Sequence, residues 1–141
     1  MADEAKTIVH EWFERVWNQA QPSAIDELLA EDARIHGLKG PDGSDVGGPA
    51  EFRQMHEAFC QAFPDIRIDV EDCLTDGDRI AFRCRVRGTH SGAGLGREAT
   101  GHAVEFMGMG IIHVRDGRIA EAWNTFDFLT MNEQIGGGSG G

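Results

Sequence analysis

The sequence predicts an α+β domain in which helices come first and an antiparallel sheet follows. Apolar residues recur at helical spacing up to Phe63, and from Ile66 onward the period drops to two. Asp-Gly pairs at Asp76-Gly77 and Asp116-Gly117 then join strands that alternate apolar and polar residues. Helices segregated ahead of an antiparallel sheet give two packed layers, with the sheet wrapping one long helix.

Each element follows from local chemistry. Ala5, Ile8, Val9, Trp12, Phe13, Val16 and Trp17 share one helical face, predicting a first helix over residues 4–18. Pro22, then Ser23 with Asp26 three positions on, resembles a capping box and starts a short second helix ending near Ala30. A strand is expected over residues 34–38, followed by a Gly- and Asp-rich loop over 40–48. Pro49 suits the first turn of a third helix carrying Phe52, Met55, His56, Phe59 and Phe63, which must stop before Pro64. Ile66, Ile68 and Val70, and then Ile80, Phe82, Cys84 and Val86, mark the buried faces of two long strands. A Gly-rich loop over 91–101 leads into a last hairpin, and a short amphipathic segment over 128–135 closes the fold.

Length fits one domain, residues 1–136, with a core of useful size. Residues 137–141 have the composition of a flexible Gly/Ser linker and are left out of the fold. The net charge of -11, from 24 acidic against 13 basic residues, argues against nucleic acid as a partner. With no leader and no apolar run near 18 residues, the chain reads as soluble and cytoplasmic, with no membrane partner. Cys60, Cys73 and Cys84 are odd in number and widely spaced, which fits buried thiols better than a disulfide scaffold or a zinc site. No metal-ligand spacing is present, and the Gly-rich loop lacks the strand-turn-helix context of a phosphate site, so no cofactor is expected.

The last hairpin carries the strongest functional signal. Phe106, Gly108, Gly110 and Ile112 share a face on its first strand, and Ala120, Ala122, Asn124 and Phe126 share one on its second. A three-residue turn with a Gly bulge would set Gly110 opposite Ala122 and Gly108 opposite Asn124. Small residues framed by two Phe rings read either as a cavity floor with one polar group or as a bend that lets the sheet curl round a helix.

Several motifs together resemble the SnoaL-like polyketide cyclase family of the NTF2-like superfamily. They are Trp17-Asn18, Asp32 and His36, Ala62-Phe-Pro-Asp65, Gly77-Asp78, Arg83, Gly88-Thr-His90, Thr100-Gly101, Asp116-Gly-Arg-Ile-Ala-Glu-Ala-Trp123 and Gln134-Ile-Gly136. The resemblance spans roughly residues 5–136. It implies a cone of three N-terminal helices packed on a curved, mostly antiparallel sheet that encloses an apolar pocket, and a homodimer through the outer sheet face. In the cyclases an Asp on the last strand is the general acid/base and a His on the preceding strand assists it. Counted from the Asp-Gly turn, those positions fall here on Asn124 and Gly110. The last-strand Asp of limonene-type epoxide hydrolases falls on Asn124 as well.

A carboxamide cannot take up and return a proton, so Asn124 can only orient a carbonyl or stabilise an enolate oxygen. A base would have to come from elsewhere. His36, where the chain enters the sheet, is either a pocket or a rim residue, and His56 either points under the sheet or lies at the helix edge. Trp12, Trp17, Phe52, Phe59, Phe106, Gly108, Gly110, Ala122 and Phe126 are the expected pocket lining. Arg83 is the candidate cation, with the inner face of its strand left open. His90 and His102 flank the Gly-rich loop at the expected mouth, while Glu105 and Asp127 are out of phase with Asn124. The leading expectation is a cofactor-independent cyclase or isomerase acting on a small hydrophobic carbonyl compound. The alternatives are a non-catalytic ligand-binding or dimeric interaction module, and third an epoxide hydrolase.

Overall fold

A computed structural model describes residues 2–40, 43–95 and 98–136, and residues 137–141 of the linker-like tail lie outside it. Helix α1, Ala2–Glu11, runs without a break into a π-helical stretch, Trp12–Asn18, so the expected first helix has its predicted extent but a wider second half. Helix α2, Pro22–Leu28, starts on Pro22, and Gln21 rather than Ser23 precedes it, with no side-chain cap; the expected capping box does not form. The chain enters β1, Leu29–His36, directly from α2, five residues earlier than the sequence pattern suggests. Helix α3, Pro49–Ala62, lies between its two prolines as expected. Strands β2, Arg67–Asp76, β3, Arg79–Thr89, β4, Ala103–Arg115, and β5, Arg118–Phe126, follow, and α4, Phe128–Gly136, closes the fold.

The strands form one five-stranded curled sheet in the order β1-β5-β4-β3-β2. β1 pairs parallel with β5, and the other neighbours are antiparallel. Asp116 and Gly117 both take positive φ, 53° and 76°, which makes a two-residue turn with Arg115 opposite Arg118. A bulge after His113 then leaves Ala120 unpaired and sets Gly110 opposite Asn124 and Gly108 opposite Phe126. The register expected from a three-residue turn is therefore wrong by two residues. Because two is the side-chain period, Ala122, Asn124 and Phe126 keep the inner face, but on the turn side of the bulge Ile119 lines it in place of the expected Ala120.

The helical layer buries its aromatic stripe on the inner face of the sheet. Phe13 meets Phe82 of β3 at 5.1 Å, and Trp12 meets Phe52 of α3 at the same separation. Asn18 ends the π-helical stretch by acting as a strand edge: its Nδ2 donates to the Ile68 carbonyl at 3.0 Å and its Oδ1 accepts from the Ile68 N–H at 2.6 Å. This two-point clamp fixes the helical layer over β2. Cys84 faces the core, where burial pushes its thiol up to about 12.

The outer face is divided. Arg83, Arg85 and Arg87 interleave with Asp69, Glu71 and Glu105 in a ladder of ion pairs, four of them at 2.9 to 3.0 Å. The hydrogen bond from Arg85 holds the Glu71 carboxyl below its ordinary range, and that from Arg87 does the same for Glu105. Beside the ladder, Leu74, Met109, Ile111 and Trp123 are exposed. Among the described residues no helix is long and apolar enough to cross a membrane.

Candidate functional site

Between the helical layer and the inner sheet face lies a cavity of about 70 Å³. Among the described residues that line it all but Asn124 are apolar or aromatic; Trp12, Trp17, Phe52, Phe59, Phe106, Ala122 and Phe126 belong to it. The periodicities explain the convergence. The stripe of the first helix, the inner faces of β3, β4 and β5, and one side of α3 all point at the same space. Phe13, Met55, Phe82 and Phe128 also line it. Phe82 was legible from its alternation with Arg83, and Phe128 is the first residue of the closing amphipathic helix.

Four lining residues are only half-buried: Phe59, Asn124, Phe126 and Phe128. Phe128 stands 5.9 Å from both Phe59 and Phe126, so these rings form one half-buried aromatic edge of the cavity, and Asn124 is the half-buried polar residue of its lining. An interior of about 70 Å³ is roughly half of the ~150 Å³ that holds benzene in an engineered apolar cavity. A ring-sized ligand must therefore displace this aromatic edge.

Asn124 is held from one side. Its Nδ2 donates to the His36 carbonyl at 3.0 Å. That contact depends on how β1 ends: Gly37 follows at φ +89°, and a Cβ there would collide with the Asn124 carbonyl. The backbone can pass this close only because residue 37 has no side chain.

The other expected site residues are elsewhere. His36 is on the opposite sheet face from Asn124, since alternation turns Ile35 inward and His36 outward. Its Nε2 pairs with Glu121 at 2.7 Å, and its ring stacks on Trp123 at 5.4 Å. His56 is buried but lies behind the lining, packed on Trp17 at 4.8 Å, with Nε2–H donating to the Val16 carbonyl at 2.6 Å. Burial pushes its imidazole below the ordinary histidine range and outweighs the opposing effect of that hydrogen bond, so the ring is neutral at neutral pH. The carbonyl it caps belongs to the π-helical stretch, a backbone form that leaves such groups off the regular ladder.

Arg83 faces outward into the ion-pair ladder and so does not line the cavity. Gly108 and Gly110 do not form a hollow floor. A Cβ at Gly108 would run into the Phe126 ring, and one at Gly110 would come within 2.7 Å of the Phe82 ring and 2.5 Å of the Trp123 carbonyl. The glycines let rings lie flat on β4, so the missing volume is filled by neighbours rather than left for a ligand. His90 bonds Thr100 at 2.9 Å through Nδ1, and His102 bonds the Ile135 carbonyl at 2.9 Å, so both fasten the loop and α4. Asp127 caps α4 through Thr130, whose hydrogen bonds hold its carboxyl low, and Glu105 belongs to the outer ladder.

The SnoaL-like polyketide cyclase model matches residues 7–135, nearly the whole described chain. The chain belongs to the SnoaL-like polyketide cyclase family. IdmH of Streptomyces antibioticus, a candidate polyketide cyclase, is 32% identical, with 94% of this chain and 98% of that one covered at a TM-score of 0.80. A candidate SnoaL-like cyclase of Jannaschia sp. CCS1 is 20% identical and covers 96% and 94% at 0.82. AclR of Streptomyces galilaeus, a candidate hydroxylase, is 24% identical and covers 96% and 83% at 0.83. Comparison with curated proteins gives no match. Within the SnoaL-like pattern that the resemblance implies, Asn124 stands for the acid and Gly110 for its histidine, and the register pairs these two positions directly. Phe82 occupies the space that a side chain at 110 would need.

Proposed function

We propose that this SnoaL-like chain holds a neutral, hydrophobic, enolisable carbonyl compound in its cavity and assists ring closure or isomerisation without a cofactor. The observation that carries the reading is one polar group, Asn124, in the lining of an otherwise apolar cavity. Such a site removes solvent from a reacting carbonyl compound and fixes one end of it, which is how small-molecule pockets combine apolar affinity with a few orienting contacts. Asn124 replaces proton transfer with hydrogen bonding, so the rate gain is that of positioning. A non-catalytic binding module is the second reading, favoured by a lining with no Asp, Glu or His. The same lining holds no Arg, so the Asp-Arg-Asp chemistry of an epoxide hydrolase finds no support in it. We also propose that two copies pair through the outer face at Leu74, Met109, Ile111 and Trp123, which sedimentation at two concentrations reads directly.

Heptane-2,6-dione, which closes by intramolecular aldol addition and loses water to give a cyclohexenone, separates the two main readings. Ring closure faster than in buffer, abolished by Ala122→Phe filling the cavity, supports the cyclase. Saturable binding with no rate gain supports the binding module. If Ala122→Phe, folded by circular dichroism, binds and turns over like the parent, the cavity is not the site.

A further inference from the structure

We infer that the cavity selects a ligand through an O–H it donates, and so holds the enol or hydroxyl form of its compound in preference to the ketone. This rests on the proposed pocket function and names the chemical form bound. The warrant is the orientation of the Asn124 amide. Its Nδ2 is drawn to the His36 carbonyl at 3.0 Å. Turning the amide over would set two acceptor oxygens against each other, so the carbonyl fixes which end of the side chain is which. The oxygen Oδ1 is then the end left without a protein partner among the described residues.

No other lining side chain competes for this role. The lining is otherwise hydrocarbon, aromatic ring and one thioether, with the indoles of Trp12 and Trp17 able only to donate. Asn124 Oδ1 is therefore the single strong side-chain acceptor among the described lining residues. A ligand that fills the cavity strips water from this half-buried acceptor, which is costly when left unmet, and a ligand O–H meets it. A bare ketone or an ether brings a second acceptor to the same place. A ketone finds only N–H donors, the Trp12 and Trp17 indoles and the second Nδ2 hydrogen, and leaves Oδ1 unmet. A carboxylate is disfavoured more strongly, since Arg83 is on the far face and no lining residue is charged.

The selection matters for ring closure, because the enol is the nucleophilic form of a carbonyl compound. Asn124 would hold that tautomer by accepting its O–H without removing the proton.

Three probes of similar size test the assignment by equilibrium dialysis: 4-methylphenol as a locked enol, 4-methylanisole with the O–H blocked by one added methyl, and 4-methylcyclohexanone as the ketone. Apolar transfer alone favours the ether, so a preference for the phenol runs against hydrophobicity. We expect the phenol to bind roughly tenfold more tightly than the ether, a ratio set by one buried hydrogen bond. Asn124→Leu and Asn124→Ala should each bring the ratio to one or below. Equal binding of all three probes, or tightest binding of the ketone, overturns the donor assignment while leaving the pocket function in place. A ratio unchanged in both variants overturns it too. If no probe binds at all, the pocket function falls with it.

Discussion

Asn124→Asp is expected to gain acid/base turnover and to lose stability as the pH rises. In the parent, Nδ2 donates to the His36 carbonyl at 3.0 Å from the lining of an apolar cavity. An aspartate there can keep that contact only when protonated, because an ionised oxygen would face a carbonyl oxygen. Burial and the lost hydrogen bond both disfavour the anion, so its pKa should rise from about 4 to roughly 6. The sign of the stability effect follows. Below pH 4 the carboxyl is protonated in both states and the variant matches the parent. As the pH rises through the folded pKa the native state must give up a proton it holds more tightly than the unfolded chain, and about 3 kcal/mol is lost. Thermal melts at pH 4 and pH 8 should therefore differ from the parent by about 9 °C more at the higher pH. Near pH 6 the new group is poised to shuttle protons, and closure of heptane-2,6-dione should accelerate by roughly 10²-fold. A pH-independent melting difference would mean that residue 124 does not sit against the His36 carbonyl.

Gly37→Ala is the substitution with the largest expected structural cost. Residue 37 has φ +89°, and its added Cβ would meet the backbone carbonyl of Asn124. Backbone cannot move aside as a flexible side chain can, so β1 must separate from β5 at its end, taking the His36 carbonyl away from Asn124. Gly117→Ala is the matched control: its φ is +76°, but nothing lies within 4 Å of the added methyl. We expect about 1 kcal/mol from Gly117→Ala, for the positive φ alone, and about 3 kcal/mol or more from Gly37→Ala. In melting temperature this is about 3 °C against about 10 °C for a chain of this size. Equal losses would show that the close crossing of β1 over Asn124 is absent.

The aromatic stripe of the first helix and the alternation of β3 to β5 were readable because their periods, 3.6 and 2, decide which side chains face inward. The membership of the cavity follows from that, and so does Asn124 as its polar group. His36 stayed open between pocket and rim because β1 leaves α2 directly and turns Ile35 inward, a phase that eight residues of mixed polarity do not reveal. The glycines of β4 were misread for a different reason. A sequence shows that a side chain is missing, but not that Phe82 and Phe126 fill the gap from neighbouring strands. The hairpin register moved by one residue because φ at Asp116 is positive and the turn has two residues, and by a second at the bulge after His113, neither of which an Asp-Gly pair decides. The π-helical stretch under His56 has no sequence signature.

Ligand is expected to enter the inner cavity past the Phe59, Phe126 and Phe128 rings and to reach Asn124. The three indoles test it in one amide-correlation NMR titration with 4-methylphenol, because Trp12 and Trp17 line the cavity while Trp123 stacks on His36 outside. Saturable shifts of the Trp12 and Trp17 indole signals and of the Asn124 side-chain amide, with Trp123 still, are the expected result. Shifts at Trp123 with the two inner indoles and Asn124 unmoved would contradict the account.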